Sequence, residues 1–205
     1  VLLLQFTISP YLTDLTMRWL YDFSWLERDE LPDHLRRFIE QTTDAQDVNF
    51  PHVGLIHDGS PNCFTYGHHP NNMRIVLTQG ILDLLEEEEV QGVIAHEIGH
   101  GIHWDMAVMT MAQLVPLVLY YIYRMALRVE AKKKTAAAKF AVVVGAYVLY
   151  IVSQYLVLWL SRTREYHADQ FSGESTGNPN HLASGLMKIA YGLASRGNRD
   201  EEEKG

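Results

Sequence analysis

The sequence predicts a mainly helical α+β fold with a small antiparallel sheet and an inserted hydrophobic helical hairpin. Three observations carry that prediction. Apolar residues around His96–His100 recur at helical spacing, three short β-prone stretches precede them, and two long uncharged segments follow. The chain has 205 residues, 47% of them hydrophobic and 11% aromatic, enough for a sizeable core in one domain of moderate size. Its formal charge of −8 leaves no basic domain-wide surface to neutralise phosphates, which argues against a nucleic-acid partner. The single cysteine, Cys63, excludes an internal disulfide framework.

Residues 1–21 read as a hydrophobic N-terminal segment whose first charged residue is Asp14. Its apolar part, Val1 to Thr13, is too short to span a bilayer and lacks the basic flank of a signal peptide. The expectation is the trimmed end of a longer membrane segment, with a buried core segment as the alternative. Residues 22–205 form the remaining domain, interrupted by the hairpin at about 106–160. An aromatic stretch with Trp19, Tyr21, Phe23 and Trp25 leads into a helix over about Leu31–Gln46, with Leu35, Phe38 and Ile39 facing inward. Strands are expected at Val53–His57, Cys63–Gly67 and Met73–Thr78, because Asp58-Gly59-Ser60-Pro61 and Pro70-Asn71-Asn72 between them are turn-forming.

The next element carries the chemistry. In His96-Glu97-Ile98-Gly99-His100, two histidines four apart share one helix face, close enough for both imidazoles to reach one metal ion. Glu97 lies about 60° around the helix from His100, beside such an ion and not on it, where a carboxylate serves as general base toward water. This HExxH pattern makes zinc-dependent peptide hydrolysis the leading hypothesis. Val90, Val93, Ile94, Ile98 and Ile102 supply the apolar stripe of the helix, and Glu86–Glu89 favour its positive N-terminal end.

A zinc ion needs a third protein ligand and an open position. His103 is a weak candidate, since at about 1.5 Å per residue it lies roughly 10 Å along the axis from His96. Glu165 is the better one. In Ser161-Arg162-Thr163-Arg164-Glu165-Tyr166-His167-Ala168-Asp169 it shares a helix face with Asp169, so one carboxylate can ligate while the other accepts the free N–H of a ligating histidine.

Between these two motifs, Met106–Tyr123 and Phe140–Leu160 carry no charge and each has the length of a spanning helix. Together they read as a transmembrane hairpin that returns the chain to the side it left. Trp104 and Trp159 sit near the metal end, and Tyr120, Tyr121 and Tyr123 at the far end, as interfacial belts require. Pro116 is expected to bend the first segment.

Several segments resemble those of the HtpX-type membrane zinc metallopeptidases, whose relatives include the CAAX prenyl endopeptidases. The likeness runs from about Asn49 to Ala194. It rests on Pro61-Asn62-Cys63-Phe64, Thr78-Gln79-Gly80-Ile81-Leu82-Asp83, Ala95-His96-Glu97-Ile98-Gly99-His100, and Ser161-Arg162 with Glu165-Tyr166-His167-Ala168-Asp169. The resemblance implies one Zn²⁺ held by His96, His100 and Glu165, with Glu97 as catalytic base and Asp169 in support. The sheet's edge, at Asn62, Cys63 and Phe64, is a candidate substrate-binding strand, because an edge strand pairs with extended peptide backbone. Two departures stand out. Cys63 replaces the family's usual Ala, and the family's C-terminal His-Pro-Pro and Arg segment is not found, so any transition-state contact from it is expected to be missing or replaced.

The expected function is a membrane-bound HExxH zinc metalloendopeptidase, acting in quality control on unfolded or membrane-associated polypeptides. Its partners are polypeptide substrate and the lipid bilayer. The alternatives are a catalytically silent membrane scaffold with a structural zinc, and a soluble zinc peptidase with a buried helical hairpin. The resemblance implies a cytoplasmic active site. Against that, the connection from Arg124 to Lys139 carries six Lys/Arg and one Glu, which by the positive-inside rule favours a cytoplasmic connection and the opposite orientation.

Overall fold

Every residue of the strand Met73–Thr78 is buried, which requires neighbours on both edges and cover on both faces. The computed structural model, which describes residues 2–130 and 135–202, supplies them within the first of two compact units. That unit comprises Val1–Met106 and Glu165–Gly205, and the second is Ala107–Arg164.

In the first unit the elements run α1 (Leu2–Leu20), β1 (Phe23–Leu26), α2 (Asp33–Asp44), β2 (His52–Ile56), β3 (Cys63–Gly67), a 3-10 turn (Pro70–Asn72), β4 (Met73–Thr78), α3 (Gln79–Leu84) and α4 (Glu87–Ile102). The four strands form one sheet in the order β1-β2-β4-β3. β3 and β4 make an antiparallel hairpin around Pro70, with Cys63 opposite Leu77 and Gly67 opposite Met73. The hairpin then lays β4 beside β2 in parallel, with Val53 opposite Ile75. The expected antiparallel sheet is therefore mixed. Turn-forming connections favour antiparallel neighbours, but β4 is buried on both sides because β3 lies at the far edge and β2 on its other side. Phe23–Leu26, expected only as an aromatic stretch, pairs with β2 as a fourth strand.

The core lies between this sheet and the helices. Leu35 and Ile39 of α2, Ile75 and Leu77 of β4, and Ile94 and Ile98 of α4 are all essentially fully buried. Burying each such aliphatic side chain contributes about 1.5–3 kcal/mol. Glu86 and Glu89 close a capping box at the start of α4, each accepting a backbone N–H, so the acidic run predicted to begin this helix does so. Glu89 also anchors α7 (Asn180–Glu202): it accepts from Lys188 Nζ at 2.8 Å and from Ser184 Oγ. Burial would raise its pKa, but these bonds outweigh burial and hold it below the usual carboxylate value.

The hydrophobic N-terminal segment is helical and is tied down by polar contacts. Asp14 accepts from Tyr66 Oη at 2.6 Å and pairs with Arg74 Nε at 3.1 Å, a half-buried ion pair across α1, β3 and β4.

The second unit holds most of α5 (Asp105–Arg128) and of α6 (Ala136–Thr176), the two described helices long and apolar enough to cross a membrane. Their apolar side chains, among them Val115, Val118, Val142 and Leu156, are exposed. A buried core hairpin is thus not what this unit is. Tyrosines of the two helices meet, Tyr120 with Tyr150 at 5.7 Å and Tyr123 with Tyr147 at 5.4 Å between ring centroids. α5 continues through Pro116 as a single helix. Lys132–Lys134, the centre of the basic connection, lie outside the described residues.

Candidate metal and catalytic site

Helix α4 has to present His96 and His100 to one side while burying Ile94 and Ile98 on the other. Its glycines make the remaining faces available. A Cβ on Gly99 would stand 3.2 Å from Ala168 Cα and 3.3 Å from Phe171 Cδ1, so the C-terminal part of α6 approaches α4 nearly backbone to backbone. Ser172 reinforces that contact by donating to the Gly92 carbonyl at 2.7 Å in a buried position. This close crossing lets the acidic face of α6 reach the histidines.

The reach is visible in the distances. His96 Nε2 and His100 Nε2 are 3.1 Å apart, and Glu165 Oε2 lies 3.7 Å from the first and 3.8 Å from the second. These three side chains form the one metal-competent cluster among the described residues, with all ligand atoms within 4.8 Å of one another. Glu97 is not among them. Burial lifts its carboxyl to about 7; the charge of Glu165 adds to the rise, while His100 and Thr65 pull the other way. Burial and neighbouring His100 hold His96 below the usual histidine value, against the opposing pull of Asp169 and Glu165.

Both imidazoles are gripped from behind. His96 Nδ1 lies 3.0 Å from Asp169 Oδ1, at ion-pair distance but off the line of a hydrogen bond. His100 Nδ1 lies 2.6 Å from Asp105 Oδ2. The Asp105 carboxylate takes the N–H at His100 Nδ1, which leaves His100 Nε2 with a lone pair. The two Nε2 atoms lie 3.1 Å apart with a carboxylate oxygen facing both, an arrangement into which a cation fits. The donor set fits a divalent metal that takes nitrogen and oxygen ligands, zinc foremost.

The other expected residues fall close by or are accounted for elsewhere. Cys63 and Phe64 lie on β3, which is an edge strand, and the Cys63 thiol is pushed up by burial and by the charge of Glu97 beside it. Asn62 precedes the strand, its backbone bonded to Thr78 at 2.9–3.1 Å. His103 caps the end of α4, its ring against Phe171 and His167. The sequence reading missed Asp105 and Thr65. Thr65 carried only the alternation of a strand, and Asp105 only its place at the start of an apolar segment.

Comparison with known proteins agrees with this architecture. The profile of peptidase family M48 matches residues 29–202. The chain belongs to that family. Among its relatives is the "Protease HtpX homolog" of Methanothermobacter thermautotrophicus, 37% identical over 194 residues, covering 95% of this chain and 71% of that protein. The "Protease HtpX homolog 2" of Methanosarcina acetivorans is 31% identical over 193 residues, covering 92% of this chain and 65% of the relative. The crystal structure of S. mikatae Ste24p superposes with a TM-score of 0.63 at 23% identity, over 91% of this chain and 47% of that one. That likeness is one of fold. The chain thus spans about two thirds of these relatives' length and about half of the solved structure.

Proposed function

We propose that the chain is the catalytic part of a membrane-bound zinc metalloendopeptidase, with one Zn²⁺ held by His96, His100 and Glu165. The observation that carries this reading is the convergence of two Nε2 atoms and the Glu165 carboxylate, with each Nδ1 backed by an aspartate. When bound, zinc supplies a Lewis acid that polarises the scissile carbonyl and acidifies the attacking water.

The chain's own groups do the rest. Glu97, close to neutrality in its proton affinity, takes a proton from the water whose oxygen attacks the carbonyl carbon. It then delivers that proton to the amine nitrogen as the C–N bond breaks. The outer edge of β3 is proposed to pair its N–H and C=O groups with an extended substrate, beginning at Asn62, Cys63 and Phe64; its place at the sheet's edge supports this. Recognition through backbone tolerates varied side chains, which suits unfolded polypeptide. Glu165 is 58% exposed, so the mouth of the site is open to solvent and substrate.

The second unit is proposed to cross the bilayer as a hairpin, since its apolar side chains are exposed. The active site is assigned to the cytoplasmic side, against the pull of the basic connection. The deciding experiment for the activity is casein degradation with metal analysis on the wild type and Glu97→Gln. Metal-dependent hydrolysis lost in the variant supports the reading; equal turnover in both refutes it.

A further inference from the structure

The two aspartates behind the histidines are not equivalent. Asp169 is 56% exposed on its side chain and meets His96 off the line of a hydrogen bond. Asp105 is 7% exposed and sits 2.6 Å from His100 Nδ1. Its position in the chain makes that contact unexpected. Were α4 to continue, residue 105 would lie about 140° around the axis from His100 and point away from it.

A break in the backbone turns it back. His103 ends α4 at φ −81° and ψ 8°, its N–H bonded to the Gly99 carbonyl at 3.1 Å. Trp104 follows at φ +60°, and its N–H reaches Gly101 O at 3.3 Å. A left-handed residue just past a helix end is normally Gly; a bulky side chain there is disfavoured by its Cβ. α5 then restarts at Asp105, with the carboxylate returned toward the histidine it has just left. Held strain of this kind persists where the surroundings over-determine it, and it clusters at functional sites.

We propose that Asp105, aimed by the left-handed turn at Trp104, is a positioning residue that fixes His100 as its Nδ1–H tautomer and sets the affinity of the metal site. Of the two aspartates it is the dominant one. This inference rests on the metal reading given above and goes further by assigning a role to a residue outside both motifs.

The test uses the full chain in detergent, with zinc affinity measured by competition with a chromophoric chelator. The absorption spectrum of the cobalt-loaded protein and the thermal unfolding of the metal-free protein are recorded alongside. Asp105→Ala is expected to weaken zinc binding about 10- to 100-fold, and Asp169→Ala by less. Asp105→Asn keeps an acceptor oxygen without the charge, so it should recover part of the loss while leaving metal-free unfolding near that of the wild type. Trp104→Gly should bind zinc as the wild type does, because glycine adopts positive φ freely; Trp104→Val should weaken binding and alter the cobalt spectrum. If Asp105→Ala does not fold, Asp105→Asn and the Trp104 pair decide the matter. Wild-type affinity in Asp105→Asn and Trp104→Val would overturn the proposal. So would a loss in Asp105→Asn that only tracks lower metal-free stability. A wild type that binds no zinc, or an unchanged affinity in His96→Ala, would instead refute the metal reading itself.

Discussion

Gly99 and Ala168 bring two helices into close contact, and that approach is what gathers His96, His100 and Glu165 into one cluster. A side-chain carbon on Gly99 would stand 3.2 Å from Ala168 Cα and 3.3 Å from Phe171 Cδ1, tight enough that α6 would have to give way by a few tenths of an ångström. Gly99→Val is therefore expected to push α6 from α4 and carry Glu165 and Asp169 out of reach. Overpacking of this kind costs about 1–3 kcal/mol. Weakened zinc retention together with a lower unfolding temperature would show it; a variant with wild-type values for both would disprove it.

The proposed roles of the three motif residues should separate in experiment. His96→Ala and His100→Ala should each lose most bound zinc, because each removes one of the three proposed ligands. Glu97→Gln should retain the metal and lose hydrolysis. Near-normal turnover in that variant would remove Glu97 from its role as base.

Glu165→Ala should impair metal retention far more than His103→Ala. Glu165 Oε2 faces both imidazoles, while the His103 ring is engaged with Phe171 and His167. Metal analysis after dialysis gives the comparison. A loss in His103→Ala matching that of His100→Ala, with Glu165→Ala harmless, would reverse the assignment.

Glu97 also sets a pH dependence of stability in the metal-free protein. Its carboxyl is raised from 4.5 to about 7 in the fold, first by burial. Between those values the native state holds a proton that the unfolded state has released, so stability falls as pH rises through the window and is flat above it. The full difference is at most about 3 kcal/mol. Metal-free Glu97→Gln should thus be more stable than the metal-free wild type at pH 8, and much less so at pH 5. Equal unfolding temperatures at pH 8 would show that the raised carboxyl carries no such cost.

How far the sequence led depends on the kind of signal each residue carries. Helical spacing placed His96 and His100 on one face, and the same spacing paired Glu165 with Asp169, because a helix fixes its neighbours locally. The acidic start of α4 and its apolar stripe were legible for the same reason. Asp105 was not, since its approach to His100 depends on a left-handed turn at a tryptophan, the kind of residue that gives no warning of one. The parallel pairing of β2 with β4 escaped as well, because strand order is decided by burial on both faces of β4 and not by any short-range pattern. Phe23–Leu26 has four residues, too few to declare a strand before its partner is known.

The proposed hairpin makes an even number of crossings, so the segments before α5 and after the apolar part of α6 should share one side. Single cysteines at Glu88 and at Glu130, both exposed, in a background with Cys63→Ala, should label from opposite sides of sealed vesicles. Labelling of both from one side would exclude a spanning hairpin. The side on which Glu130 reacts also decides between the basic connection and the cytoplasmic assignment of the site.

The order of ligands along the chain has a consequence for biogenesis. His96 and His100 leave the ribosome first, then the whole second unit, and only afterwards Glu165 and Asp169. At about 5–20 residues per second, several seconds separate the first ligands from the last. On the proposed reading, the nascent chain cannot assemble a hydrolytic centre until its apolar hairpin has been made, so a half-synthesised copy has no means of attacking unfolded neighbours, its own translation products included.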